Sequence, residues 1–141
     1  MKEFVGNAAA LTDIFGRWPS FHDAEVLRVV LDADGAGGRS PSVEMQVYVF
    51  EMTSEVVDGR YALANRTLVT FRFYGVANLE LSDLDSQNAL LDLHIQDISD
   101  RGLENLKMEV KLASTLGLEG GFLCDSAEIM YVRPFVEGEG T

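Results

Sequence analysis

Apolar and polar residues alternate with a period of two along most of this chain, and only one stretch near its start keeps a helical period. There Leu11, Ile14 and Phe15 recur at i, i+3 and i+4, which predicts a short helix ending at Phe15. Asn7 stands where a cap is needed, and Gly16 stands where the helix must stop. Pro19 then keeps Trp18 out of the helical region. From residue 24 onward the pattern is that of strands. Residues 24–33 place Leu27, Val29 and Leu31 on one face. Residues 43–52 set Val43, Met45, Val47 and Val49 against Glu44, Gln46, Tyr48 and Phe50. Residues 66–74 set Val69, Phe71 and Phe73 against Thr70, Arg72 and Tyr74, with the β-branched and aromatic bias of a strand. Gly75 breaks this run, and residues 76–81 continue it or pair beside it. Residues 89–98 align Leu91, Leu93 and Ile95, and residues 104–114 align Leu106, Met108, Val110 and Leu112. The last run, residues 122–133, aligns Ala127, Ile129 and Tyr131.

The connections between these runs are short. Residues 35–42 and Asp58-Gly59 carry turn signals, as do Asp100-Arg101-Gly102 and residues 116–121. Residues 82–88 form a polar connection with room for one helical turn. Strands joined without helical crossovers imply antiparallel pairing. The expected fold is therefore mainly β: an antiparallel sandwich or strongly curved sheet of about seven strands with one short N-terminal helix. One domain is expected over residues 1–134, followed by a flexible acidic tail at 135–141.

Charge narrows the functional classes. The formal net charge is −12, which disfavours nucleic acid and anionic membranes and favours a basic protein partner. Residues 76–104 carry Glu80, Asp83, Asp85, Asp92, Asp97, Asp100 and Glu104 against Arg101 alone, half of the net charge. The first six are the candidate partner-binding residues; the bland alternative is a solvated rim that discourages edge pairing. The single cysteine, Cys124, excludes an intrachain disulfide and fits a reducing, cytoplasmic compartment. Its apolar, acid-flanked setting suits a buried structural thiol better than a nucleophile.

Trp18-Pro19-Ser20-Phe21-His22-Asp23 joins the helical period to the strand period. Trp18, Phe21, His22 and Asp23 are expected to build a structural corner, with Asp23 accepting backbone N–H groups. His22 beside Asp23 also invites a catalytic reading, but triad members converge from separate elements, and no Gly-x-Ser-x-Gly elbow occurs. No metal is expected, because His22 and His94 are the only histidines and no Cys-x-x-Cys or His-Glu-x-x-His spacing exists. No phosphate-cradling motif is present either, so no cofactor is expected.

At Trp18 to Val26 the chain resembles the immunity protein 50 family, antidotes of bacterial polymorphic-toxin systems. The likeness continues through Val49-Phe50-Glu51-Met52-Thr53, Leu68 to Phe73, Gln87-Asn88 and the final strand near Arg133-Pro134, spanning roughly residues 10–134. The resemblance implies a mainly β, non-enzymatic protein that binds and neutralises a cognate toxin, in one version a basic nuclease met by the acidic surface. The rival is a housekeeping protein that binds a small ligand or forms a structural homo-oligomer. An exposed edge strand would make a homodimer available to either.

Overall fold

The computed structural model describes residues 3–34 and 39–136, and these form one antiparallel sheet with a short helix at its start. Helix α1 spans Ala9–Phe15 and buries Leu11 and Phe15, while Ile14 faces solvent. Gly16 ends it in the left-handed region, its N–H donating to the Thr12 carbonyl. The cap differs from expectation. Asn7 lies one residue too early, in the left-handed region, and its side-chain amide donates to the Ile129 carbonyl instead.

The strands are β1 (Glu25–Asp32), β2 (Ser42–Val57), β3 (Arg60–Tyr74), β4 (Ala77–Ser82), β5 (Ala89–Asp97), β6 (Met108–Leu116), β7 (Glu119–Cys124) and β8 (Ser126–Pro134). Their spatial order is β4-β7-β6-β5-β1-β2-β3-β8, and the sheet is not closed. The eighth strand arises because residues 122–133 are not one run. Asp125 breaks them, and its N–H donates to the Tyr74 carbonyl at the adjacent β3 corner. The segment after Gly75 also departs from expectation, because β4 pairs with β7 at the far edge and not beside β3. Gly75 permits this turn: its φ is +64°, and a Cβ there would sit 2.9 Å from the Asp125 Cβ.

The two four-stranded halves meet along a single residue pair, Glu25 and Ala89. Bulges flank this joint on both strands, between Val26 and Arg28 and between Ala89 and Asp92. Bulges bend and twist a strand, so the halves fold toward each other over a shared core. Phe73 of one half meets Phe122 of the other edge-on at 5.1 Å. The same bulges revise the predicted faces. Leu27 leaves the ladder, so that Val26 and Val29 both turn inward. Leu91 is likewise displaced to solvent while Leu90 and Leu93 are buried. A third irregularity beside Met130 turns Tyr131 outward and Val132 toward the core.

Asn88 fastens the joint. Its Oδ1 accepts the N–H of Asp85 (3.0 Å) and of Leu118 (2.9 Å), and its Nδ2 donates to the carbonyls of Asp85 and Val26. Its backbone carbonyl accepts the Val26 N–H. The residue is buried, so each of these bonds replaces a solvated group that would otherwise be left without a partner.

The connection between β1 and β2 is a hairpin, with Asp32 opposite Ser42, although Gly35 to Gly38 lie outside the described residues. The acidic tail from Glu137 to Thr141 also lies outside them. Asp58-Gly59 is the two-residue turn of a much longer β2–β3 hairpin than the pattern predicts. Both turn residues have positive φ, 52° and 78°, the requirement of a turn that matches strand twist.

Candidate functional site

Cross-strand partners share a face of the sheet, so the register alone assembles the outer surface of β4, β7, β6 and β5. Glu80 stands opposite Gly121, Gly121 opposite Lys111, and Lys111 opposite His94. One row away, Ser82 faces Glu119, and Ala113 faces Asp92. On the other side Leu123 faces Glu109, which faces Gln96. The face therefore gathers Glu80, Asp92, Glu109 and Glu119 around Lys111, with Arg101 reaching Glu109 from beyond the end of β5.

An open trough of about 1190 Å³ runs over β4, β7 and β6. Its floor is Gly120-Gly121, and backbone crowding dictates both glycines. A Cβ on Gly120 would run into the Glu80 carbonyl oxygen, and one on Gly121 into that of Val110. Gly120 also has a φ of +137°. The trough is open and flanked by charge, unlike the enclosed apolar pocket that holds a small ligand.

Electrostatically this face is unbalanced. Glu109 is approached by Arg101 at 3.6 Å and by Lys111 at 3.8 Å. Glu80, Asp92 and Glu119 have no ion-pair partner among the described residues. The other half-sheet contrasts with it. There Glu44 binds Arg72 at 2.6 Å with Arg28 at 3.8 Å, and the Glu44 hydrogen bond holds the Arg72 guanidinium above its ordinary pKa.

The six acids singled out in the sequence do not form one patch. Glu80 and Asp92 share the outer face. Asp83 and Asp85 sit in the loop at its Ser82 end, where Asp85 Oδ1 accepts the Ser86 N–H at 2.7 Å. Asp97 and Asp100 lie at the other end of β5, a nine-residue strand and thus about 30 Å away. Asp97 accepts the Ser99 N–H at 2.9 Å, and the Ser99 hydroxyl and N–H hold its carboxyl below the usual range. Glu109 and Glu119 were missed. Glu109 was legible as the polar side of the β6 alternation, but its convergence with Glu80 depends on β4 crossing to the far edge.

The Trp18–Asp23 corner packs through its rings. Trp18, Phe21 and Phe71 form a triangle with centroids 6.0 to 6.3 Å apart, and Phe21 is buried. Ser20 Oγ, in place of Asp23, accepts a backbone N–H, that of His22, at 3.2 Å. Asp23 adopts a left-handed φ of 68° and donates its own N–H to the Leu90 carbonyl. His22 Nδ1 lies 3.3 Å from the Leu91 carbonyl, and its Nε2 lies 3.7 Å from Asp23 Oδ1, both side chains being exposed. Ser20 thus points its hydroxyl into the turn and not toward the imidazole as a nucleophile would. Cys124 is buried, and desolvation, helped by Asp125, pushes its thiol up to about 12. Among the described residues no group of three or more His, Cys, Asp or Glu side chains could hold a metal ion. Nor is any described helix long and apolar enough to cross a membrane.

A family model described as Immunity protein 50 matches residues 7–135, nearly the whole chain. No curated protein and no solved structure matches it significantly.

Proposed function

The chain belongs to the immunity protein 50 family, and on that premise we propose that it engages its cognate toxin through the acidic outer face of β4, β7, β6 and β5. An immunity protein neutralises its toxin by binding and needs no catalysis of its own. The observation that supports this surface is the set of unpaired carboxylates of Glu80, Asp92 and Glu119 beside a side-chain-free glycine floor. Asp83 and Asp85 extend the face at one end, and Asp97 and Asp100 continue the acidic field at the other. The matching partner is a toxin with a cationic substrate cleft, such as a nuclease, for which a −12 protein competes as a polyanion. Binding takes place in the cytoplasm, where a single unbridged cysteine is stable. The free edge of β4 is where a strand-paired homodimer would form.

Replacing Glu80 by Gln and Asp83, Asp85 and Asp92 by Asn tests the surface. Association with the cognate toxin domain should slow by roughly tenfold at low ionic strength, and the difference should close as salt is raised. An unchanged low-salt association rate rejects this face.

A further inference from the structure

The β2–β3 hairpin is longer than the sheet that carries it. β1 pairs with β2 only as far as Tyr48, and β8 pairs with β3 only from Thr67 onward. Val49 still lies in the core and the Arg66 carbonyl still accepts the Phe135 N–H, so residues 51–65 project as a two-stranded arm. Met52 pairs with Leu63 and Val56 with Tyr61, and these two pairs, two residues apart along β3, share one face. All four side chains are exposed, at 56%, 38%, 62% and 57% respectively. An apolar stripe on an unsupported ribbon is an aggregation hazard unless something covers it.

The arm is held in place at its base. Tyr48 stacks on Phe135 with ring centroids 3.9 Å apart, and Arg66 Nε donates to the Tyr48 hydroxyl at 2.7 Å while lying over the Phe135 ring. The loop irregularity near the tip is also pinned, Thr53 Oγ1 donating to the Ala62 carbonyl at 2.8 Å. On the β2 side the stripe runs into a cleft of about 280 Å³ between the arm and the corner, lined by Met52, Phe50 and Glu51 on one wall and by Arg17, His22 and Asp23 on the other.

We infer that this apolar stripe and the cleft at its base form a second contact surface for the cognate toxin, filling an apolar depression with a basic rim. The inference rests on the toxin-binding reading above but does not depend on which face steers the encounter. Two observations select a toxin over a second copy of this chain. Four partly exposed side chains do not approach the roughly 800 Å² per partner of a stable interface, so stripe-on-stripe pairing is too small to hold a dimer. Such pairing would also bring together two molecules of net charge −12, which repel, whereas a toxin surface with a basic rim is attracted to that charge. Tyr61 is the expected anchor, since a rigid aromatic with a polar tip dominates such contacts. A pre-positioned arm orders little on binding, so its contribution appears in the dissociation rate.

The test measures binding kinetics of the purified chain and its cognate toxin domain for the wild type and for the double variant Met52→Ser, Tyr61→Ser. Both side chains are exposed, so the variant should keep its thermal midpoint, with Tyr61→Phe as a conservative control that retains binding. The expected result is a dissociation rate at least tenfold faster for the double variant, equally so at low and high salt. Unchanged dissociation in a wild type that binds overturns the inference alone. Failure of the wild type to bind overturns the toxin-binding reading and this inference with it. A wild-type dimer that the double variant converts to monomer assigns the stripe to a second copy and likewise overturns it.

Discussion

The acidic face and the projecting arm expose strands to solvent in opposite ways. The outer surface of β4, β7, β6 and β5 is charged, lies over the shared core, and has a floor set by backbone crowding at Gly120 and Gly121. The arm carries an apolar stripe, has no core beneath it, and is positioned by the Tyr48–Arg66–Phe135 cluster at its base. The difference separates two quantities that are easily conflated. Where a strand is fixed by neighbours, its outward side chains can change without consequence for folding but its glycines cannot. Where a strand stands free, its backbone is tolerant and its outward side chains are open to a partner.

That contrast can be broken at its strongest point, the joint. Asn88→Ala should cost roughly 3 kcal/mol, because it leaves the buried Leu118 N–H and Val26 carbonyl without their side-chain partner. Hydrogen exchange should show the loss first at Val26, Leu90 and Leu118 while the arm amides stay unaffected. A uniform change across the molecule would mean that the joint is not a separate point of weakness.

Glycine substitutions give a narrower version of the comparison. Gly120→Ala should destabilise by about 2–3 kcal/mol and detach β4, because the added Cβ meets the Glu80 backbone. Gly59→Ala at the arm's tip has a φ of +78° but nothing within 4 Å of the added atom, so only about 1 kcal/mol is expected. Equal costs in chemical denaturation would show that backbone strain, and not crowding, governs both places.

The last expected effect is confined to alkaline pH and lies in the core that the acidic face covers and the arm lacks. The Cys124 thiol is raised from 9.0 to about 12. A raised folded pKa means that its contribution is complete below the unfolded value and is lost as pH climbs toward the folded one. Stability should therefore fall between about pH 9 and 12, and Cys124→Ala should flatten that slope while lowering stability at neutral pH. The native thiol should also resist alkylation at pH 8. Prompt modification would place it nearer the surface.

Much of this architecture was legible in the sequence where alternation ran unbroken. Residues 43–50 and 68–73 placed their inward residues correctly, as did Met108, Val110 and Leu112, because one buried face enforces a strict period of two. The misread residues sit beside bulges. A strict alternation places Leu91 and Tyr131 inward, and nothing in composition marks the extra residue at each bulge that turns them out. The acidic stretch was visible as composition, but its division between a face and two ends depends on β4 lying beside β7. Asp58-Gly59 signals a turn but not how far pairing extends on either side of it, so the sequence pattern understates the length of the arm.

The pairing of Gly6 with Glu128 at the edge of β8 has a consequence for biosynthesis. Asn7 and Ile129, joined by a hydrogen bond, are 122 residues apart, and β8 completes the edge beside β3. A nascent chain can form the β1–β2–β3 meander early, yet the open flank of β3 and the seat of α1 wait until residue 129 has left the ribosome. A truncated chain lacking that strand should consequently be a target for proteolysis, not a partly active antidote.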